Sequence, residues 1–359
     1  MLVSGMIGAD LWYRSRTPAA QNTFTFMAAE ILRTVPHPTQ SHRRDPTAGQ
    51  LVSVPAGGDL AAAEAFCRSV ASRHYENFTV ATRLVPPRLR QHLANVYAFA
   101  RWSDDLADEA ASPAAAACDL AAWRQGLEEC FAGRPGHPIF VALAATAEQT
   151  GLTIEPFVHL LDAFEEDQAH DAAGVAGRYA DRAALIAYCQ RSADPVGRIV
   201  LALEGCHDAA LVDLSDSICT GLQLVNFWQD VRRDRRAGRI YLPSKDMQRH
   251  GVSEAMLAAP RATPQLRELL REEVAWAREK FTAGQPLVTA APPSLRPAIG
   301  MFLAGGRAVA DAIERAGFDT LIRRPTVGKL VKLGLAAQAW WSLQTAQQTT
   351  CQPARGGRP

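Results

Sequence analysis

The sequence predicts a single all-α domain. Ala- and Leu-rich segments repeat their apolar residues at helical spacing, Pro and Gly punctuate them, and no β-branched alternating run occurs. Of the 359 residues, 48% are hydrophobic, enough for a substantial core. Lys and Arg number 38 against 37 Asp and Glu, so a formal charge of +1 offers no field to hold a nucleic-acid backbone.

Three stretches follow from composition. Residues 1–58 are rich in Thr, Pro, Ser and Arg, with one short apolar patch at Phe24–Leu32, which predicts a poorly ordered extension. Residues 59–347 read as the helical domain, about ten helices broken at Pro86-Pro87, Gly133–Pro138, Gly174–Gly177 and Pro292-Pro293. Residues 348–359, a Gly/Arg/Pro tail, read as disordered. Seven cysteines without a C-x-x-C pair predict small core residues in a reducing compartment. Charges interrupt every apolar run before the roughly 18 residues of a membrane span, so membrane contact is expected to be peripheral. Met1–Arg16 lacks the pattern of a secretory signal, and the expectation is a cytoplasmic protein.

Two acidic segments carry the chemistry. In the first, Tyr97, Arg101, Asp104 and Asp108 are spaced four, three and four apart. They line one helical face, with Asp105 at its flank. In the second, Gln223, Asn226, Asp230 and Asp234 are spaced three, four and four along a helix otherwise built of Leu, Val, Phe and Trp. One isolated Asp-x-x-Asp is most simply a solvated helix face. Two stripes with matched amides, arginines and aromatics are not, because carboxylates on apolar helices require cations. Hard oxygen ligands with room for water and phosphate suit Mg²⁺, and two such helices facing each other make a diphosphate site. The basic run from Arg232 to Arg239 adjoins the second stripe. Arg235 and Arg236 are as readily surface charges as ligands. Arg239, in Gly238-Arg239-Ile240-Tyr241-Leu242-Pro243, is favoured for the departing diphosphate.

The motifs Asp104-Asp105-x-x-Asp108 and Asn226-x-x-x-Asp230-x-x-x-Asp234, with Gly238-Arg239-x-Tyr241-Leu242-Pro243, resemble those of the squalene/phytoene synthase family. The resemblance runs from about Phe66 to Leu287 and more weakly to Ala346. It implies the isoprenoid synthase fold, with helices around a central cavity and two facing Asp-rich helices. Within the family, Glu76-Asn77-Phe78, Tyr97–Arg101, Arg191–Arg198 and Asn226–Asp230 look most like the bacterial hydroxysqualene synthase branch of hopanoid biosynthesis. Relatives that join two farnesyl diphosphates usually show Ser-Phe at Asn77-Phe78 and Arg at Gln229.

The resemblance implies presqualene diphosphate as substrate, supplied by a presqualene diphosphate synthase, and hydroxysqualene as product, passed to a flavoprotein reductase. It implies Mg²⁺, three ions bound with the diphosphate, and no NADPH. Metal ligation falls to Asp104, Asp108, Asp230 and Asp234, with Asp105 as a helper. Diphosphate contacts fall to Arg101, Arg191, Arg239 and Tyr241. Tyr97 is expected to shield the carbocation and Tyr188 to orient the quenching water, while Asn226 ligates metal or fixes Asp230 and Gln223 polarises water. For Phe78, Phe164, Phe227 and Trp228, core packing is the simpler account. The alternatives are a synthase condensing two allylic diphosphates, such as farnesyl diphosphate, and a non-catalytic assembly protein of the same fold. A long apolar product predicts work beside the inner membrane.

Overall fold

The computed structural model describes residues 59–73, 85–108, 110–172, 179–328 and 334. The extension 1–58, the segment holding Glu76-Asn77-Phe78, the Gly174–Gly177 break, the side chain of Asp108, and the tail lie outside the described residues. Among those described there are thirteen helices and no strand. Ten helices have nine residues or more, which matches the expected number; the other three have six or fewer, too few for a helical period to register in sequence.

Local chemistry sets the boundaries. α1 is Leu60–Arg73, and α2, Pro87–Asp108, opens on a proline whose missing N–H costs nothing at a helix start. α3 (Pro113–Phe131) is capped by Ser112, whose hydroxyl accepts from the Ala115 N–H at 3.2 Å. α4 (Pro138–Thr150) is capped by His137, whose ring nitrogen accepts from the Ile139 N–H at 3.2 Å. Burial pushes the His137 pKa down to about 4, so the ring stays neutral and able to accept. Gly151, at φ 71°, ends α4 in the left-handed region. α5 is Glu155–Ala172; α6, Arg182–Ser192, is capped by Asp181; α7 is Asp194–Ala202. The 28-residue α8, Ala209–Arg236, is capped by Asp208 and stops before Gly238 at φ 81°. The remaining helices are α9 (Ser244–Arg249), α10 (Glu254–Leu257), α11 (Pro264–Gly284), α12 (Leu287–Ala290) and α13 (Arg296–Arg315).

The helices form two packed groups joined by α5. On one side α1 packs on α2 and α4, and α2 packs on α3 and α4. On the other side α8 packs on α7, α11 and α13. Between them α5 touches α2 and α3 on one flank and α6 and α7 on the other. The first group closes on an aromatic core: the Trp123 and Phe140 rings lie 4.2 Å apart, tilted by 33°, and Phe99 meets Phe157 edge-on at 5.2 Å. The Trp123 indole donates to the Ser103 hydroxyl at 2.9 Å, and that hydroxyl donates to the Phe99 carbonyl at 2.8 Å. This fixes the rotation of α2, because Phe99, Trp102, Ser103 and Leu106 share one face while Tyr97, Arg101, Asp104 and Asp105 share the other.

In the second group the backbones approach through glycines. A Cβ on Gly221 of α8 would lie 2.8 Å from the Phe281 ring, and one on Gly306 of α13 would lie 2.5 Å from it. A Cβ on Gly284 of α11 would meet the Leu214 carbonyl oxygen at 2.7 Å. An ion cluster ties α6, α9 and α11 together. Arg182 pairs with Glu272 at 2.8 Å, Glu273 at 3.2 Å and Asp246 at 3.3 Å, and lies 4.8 Å over the Trp276 ring. Glu273 is fully buried, and burial pushes its carboxyl up to about 7. Asp194, at the start of α7, is also buried and accepts from the Thr220 hydroxyl at 2.9 Å. Burial, and secondarily the Asp216 charge, push it up to about 8.

Three stability outcomes follow from this packing. Gly284→Ala should cost about 1–3 kcal/mol in denaturant unfolding, because backbone must move to admit the methyl group. Gly300→Ala, whose Cβ would have only Val288 near it at 3.6 Å, should be neutral or stabilising by up to about 1 kcal/mol. Asp194 prefers its neutral form when folded, so its contribution is complete below the ordinary carboxylate range and is lost as pH rises toward about 8. The thermal midpoint of Asp194→Asn relative to the parent should therefore climb between pH 5 and 9; a constant offset would contradict the assignment.

Candidate active site

Both acidic stripes sit where the periodicity places them, and each is met by arginine. On α2, Asp104 is 3% exposed and accepts from Arg101 at 3.2 Å, while Asp105 takes a second nitrogen of the same guanidinium. On α8, Asp230 receives two bonds from Arg324, at 2.6 and 2.8 Å, with Arg233 at 3.9 Å. This bidentate pair arrives from 94 residues downstream and neutralises the carboxylate in the fork geometry that guanidinium favours. Asp234, half-buried one turn on, is pushed well above the usual carboxylate range by burial and then by the Asp230 charge; Arg233, Arg239 and Arg324 oppose the shift.

The structure sorts the arginines of the basic run. Arg236 is exposed, Arg232 donates to the Leu321 carbonyl, and Arg239 is buried beside Asp234, Phe227 and Tyr241 around one small cavity. Gln223 is buried and Asn226 half-buried on the same helix. Gln229 is 3% exposed and donates to the Pro325 carbonyl, which draws the segment carrying Arg324 onto α8. Arg191 bonds to Glu166 of α5 and to the Ala187 carbonyl, an engagement with α5 that its sequence setting does not show.

A second feature adjoins the acids. Phe227 and Tyr241 stack at 3.8 Å, and Tyr179 and Tyr188 stand 5.8 and 5.9 Å from Tyr241. The Tyr188 hydroxyl donates to both oxygens of Asp167, at 3.0 and 3.2 Å. Burial, then the Asp167 charge, hold Tyr188, Tyr179 and Tyr241 well above the usual phenol range. Tyr97 lies apart, packed with Ala71 and Ala94, and burial pushes it up to about 12. Trp228 faces away from this group: it is fully buried and its indole donates to the Glu273 carbonyl at 3.1 Å, as core packing requires. Phe164 is likewise a buried core residue.

The donor set fits a hard divalent cation in kind, since carboxylate oxygens are what Mg²⁺ takes. Among the described residues no group of three or more His, Cys, Asp or Glu converges on one point. The aspartates therefore fit ions shared with phosphate oxygens and water, which is how Mg²⁺ is usually held, and not an all-protein cage. α2 and α8 do not pack side by side; α5, α6 and α7 hold them. No described helix is long and apolar enough to cross a membrane.

Sequence reading missed Arg324, Asp167 and Tyr179. Arg324 has no local signal, because its partner lies far away in the chain. Asp167 did have one: Leu160, Phe164 and Asp167 continue a single buried stripe at helical spacing, although Glu165-Glu166-Asp167 reads as a surface run.

Comparison with known proteins accounts for this arrangement. The squalene/phytoene synthase family profile matches residues 71–331. A phytoene synthase of Arthrospira platensis is 31% identical over 289 residues, 75% of this chain and 91% of its own length. The crystal structure of squalene synthase HpnC from Alicyclobacillus acidocaldarius shares 38% identity at a TM-score of 0.68, covering 76% of this chain and 98% of that one. A dehydrosqualene synthase solved in complex with ligand shares 25% identity at a TM-score of 0.69, covering 80% and 98%. The all-helical domain has the isoprenoid synthase fold, and the chain belongs to the squalene/phytoene synthase family.

Proposed function

We propose that this isoprenoid synthase is a hydroxysqualene synthase, converting presqualene diphosphate and water to hydroxysqualene and diphosphate. The family acts on prenyl diphosphates such as farnesyl diphosphate and is generally dependent on divalent metal. The observation that carries the finer reading is Gln229. Relatives that condense two diphosphates usually place an arginine there, whereas Gln229 is neutral, buried and bonded to the Pro325 carbonyl. One fewer cation beside Asp230 suits a reaction that handles one diphosphate, not two. The 38% identity to squalene synthase HpnC supports the same branch.

On this reading Asp104, Asp105 and Asp108 of α2, with Asp230 and Asp234 of α8, hold Mg²⁺ against the substrate diphosphate. Bound Mg²⁺ supplies positive charge to the leaving group. Arg101 and Arg324, which neutralise the aspartates in this structure, are placed to exchange a carboxylate for phosphate oxygens, the other anion that the planar guanidinium fork binds bidentately. Arg239 and Tyr241 lie beside Asp234 and would receive the diphosphate, and Arg191 acts there only if it leaves Glu166. Phe227 and Tyr241 line the small cavity beside Asp234 and Arg239, with Tyr188 5.9 Å from Tyr241, and aromatic rings of this kind attract a cation. Carbon–oxygen cleavage followed by water capture changes no oxidation state, so the chemistry asks for no hydride donor. Handling an apolar product, the enzyme works peripherally at a membrane surface, fed by a presqualene diphosphate synthase and drained by a reductase.

The reading is tested by incubating the protein with Mg²⁺ and presqualene diphosphate, without NADPH, beside a farnesyl diphosphate arm, and identifying the extracted lipid by mass. Hydroxysqualene from the first arm alone is expected; consumption of farnesyl diphosphate would place the chain among the condensing enzymes. Asp104→Ala and Asp230→Ala should each lower turnover by at least about 10²-fold while circular dichroism keeps the helical signal. Retained activity in either variant would remove that residue from the metal site.

A further inference from the structure

Capture of a carbocation by water leaves a proton that must go somewhere, and the aspartates assigned to metal and diphosphate are poor acceptors for it. Asp167 lies elsewhere, on α5, 7% exposed and against the aromatic group. Its oxygens receive the Tyr188 hydroxyl at 3.0 and 3.2 Å. The pair is set by helix packing: α5 and α6 lie against each other, Glu166 binds Arg191 one turn along α6, and Tyr188 is wedged between Tyr179 at 5.3 Å, Tyr241 at 5.9 Å and Phe227 at 6.3 Å. A hydroxyl so held has its proton committed to the carboxylate and its oxygen available to accept another.

Resting on the function proposed above, we infer that Asp167 is the positioning residue for Tyr188 and, through it, the acceptor of the proton released when water captures the carbocation. The oxygen of water bonds to the cationic carbon. The O–H bond it then breaks delivers its proton to the Tyr188 oxygen as the Tyr188 proton passes to Asp167. The carbon–oxygen bond to diphosphate has broken beforehand, no electrons are gained or lost, and the proton leaves Asp167 after product release. Burial and the Asp167 charge keep Tyr188 a phenol at working pH, so Tyr188 relays the proton and does not store it. The same carboxylate, facing tyrosine rings, also offers negative charge to the cation before capture.

The test uses the full chain with Mg²⁺ and presqualene diphosphate, comparing the parent with Asp167→Asn, Asp167→Glu, Tyr188→Phe and the Asp167→Asn/Tyr188→Phe double variant. Initial rates, diphosphate release and the ratio of alcohol to hydrocarbon product are measured. Asp167→Asn and Tyr188→Phe should each lower kcat for the alcohol by about 10²-fold, leave KM within about threefold, and shift product from alcohol to hydrocarbon. The double variant should be little worse than either single, since the two act as one unit, and Asp167→Glu should recover part of the alcohol. Parent-like kcat and product ratio in Asp167→Asn overturn the inference while leaving the proposed function intact. So does a loss in which KM rises with a fallen thermal midpoint and Asp167→Glu restores nothing, because that pattern marks a structural role. If the parent itself yields no alcohol, the functional reading fails and takes the inference with it.

Discussion

Carboxylates placed on apolar helices must be neutralised, and the rest of this molecule is arranged around that constraint. Asp104 is almost wholly buried and Asp234 half so, at positions where the packing of α2 and α8 leaves no polar alternative. Arg101 meets the constraint locally, one helical turn from its acids. Arg324 meets it from the far end of the described chain, and its arrival fixes the segment after α13 against α8. Gln229 and Arg232 hold the same segment through the Pro325 and Leu321 carbonyls, so the charge pair has a backbone scaffold. Opposite charges so disposed make a site in which each arginine gives up one anion only for another.

The aromatic group complements the acids. It is assembled from four elements: the segment before α6, α6 itself, α8, and the loop after α8. Backbone bonds from Ser244 and Lys245 at the start of α9 to the Tyr179 and Ala180 carbonyls dock the end of that loop, and the Arg182 cluster anchors α6 to α9 and α11. Buried ion clusters contribute little net stability, but they restrict how helices register with one another. Here the register decides whether Tyr188 and Asp167 meet.

Membership of the squalene/phytoene synthase family and the two acidic stripes are thus joined by packing that the family motifs do not spell out. Glycine contacts around Phe281 bring α8, α11 and α13 close, and the Trp123 core sets the rotation of α2. Each acidic stripe points where it does because the opposite face of its helix is committed to the core.

The sequence by itself determined the all-helical class, the long helices, the two acidic faces and the family, because these rest on period, composition and short spacings within one helix. Tyr97, Arg101, Asp104 and Asp105 share a face on any α-helix, whatever surrounds it. Only the tertiary structure decided which cations meet the acids, which aromatics gather and which are core, and which carboxylate reaches Tyr188. Trp228 and Phe227 are neighbours in sequence with equal apolar character, yet one faces α11 and the other stacks on Tyr241. Arg324 was hidden because its partner lies 94 residues away, and although helical spacing marks Asp167 as buried, its bond to Tyr188, 21 residues on, is set by how helices pack, which no local spacing records.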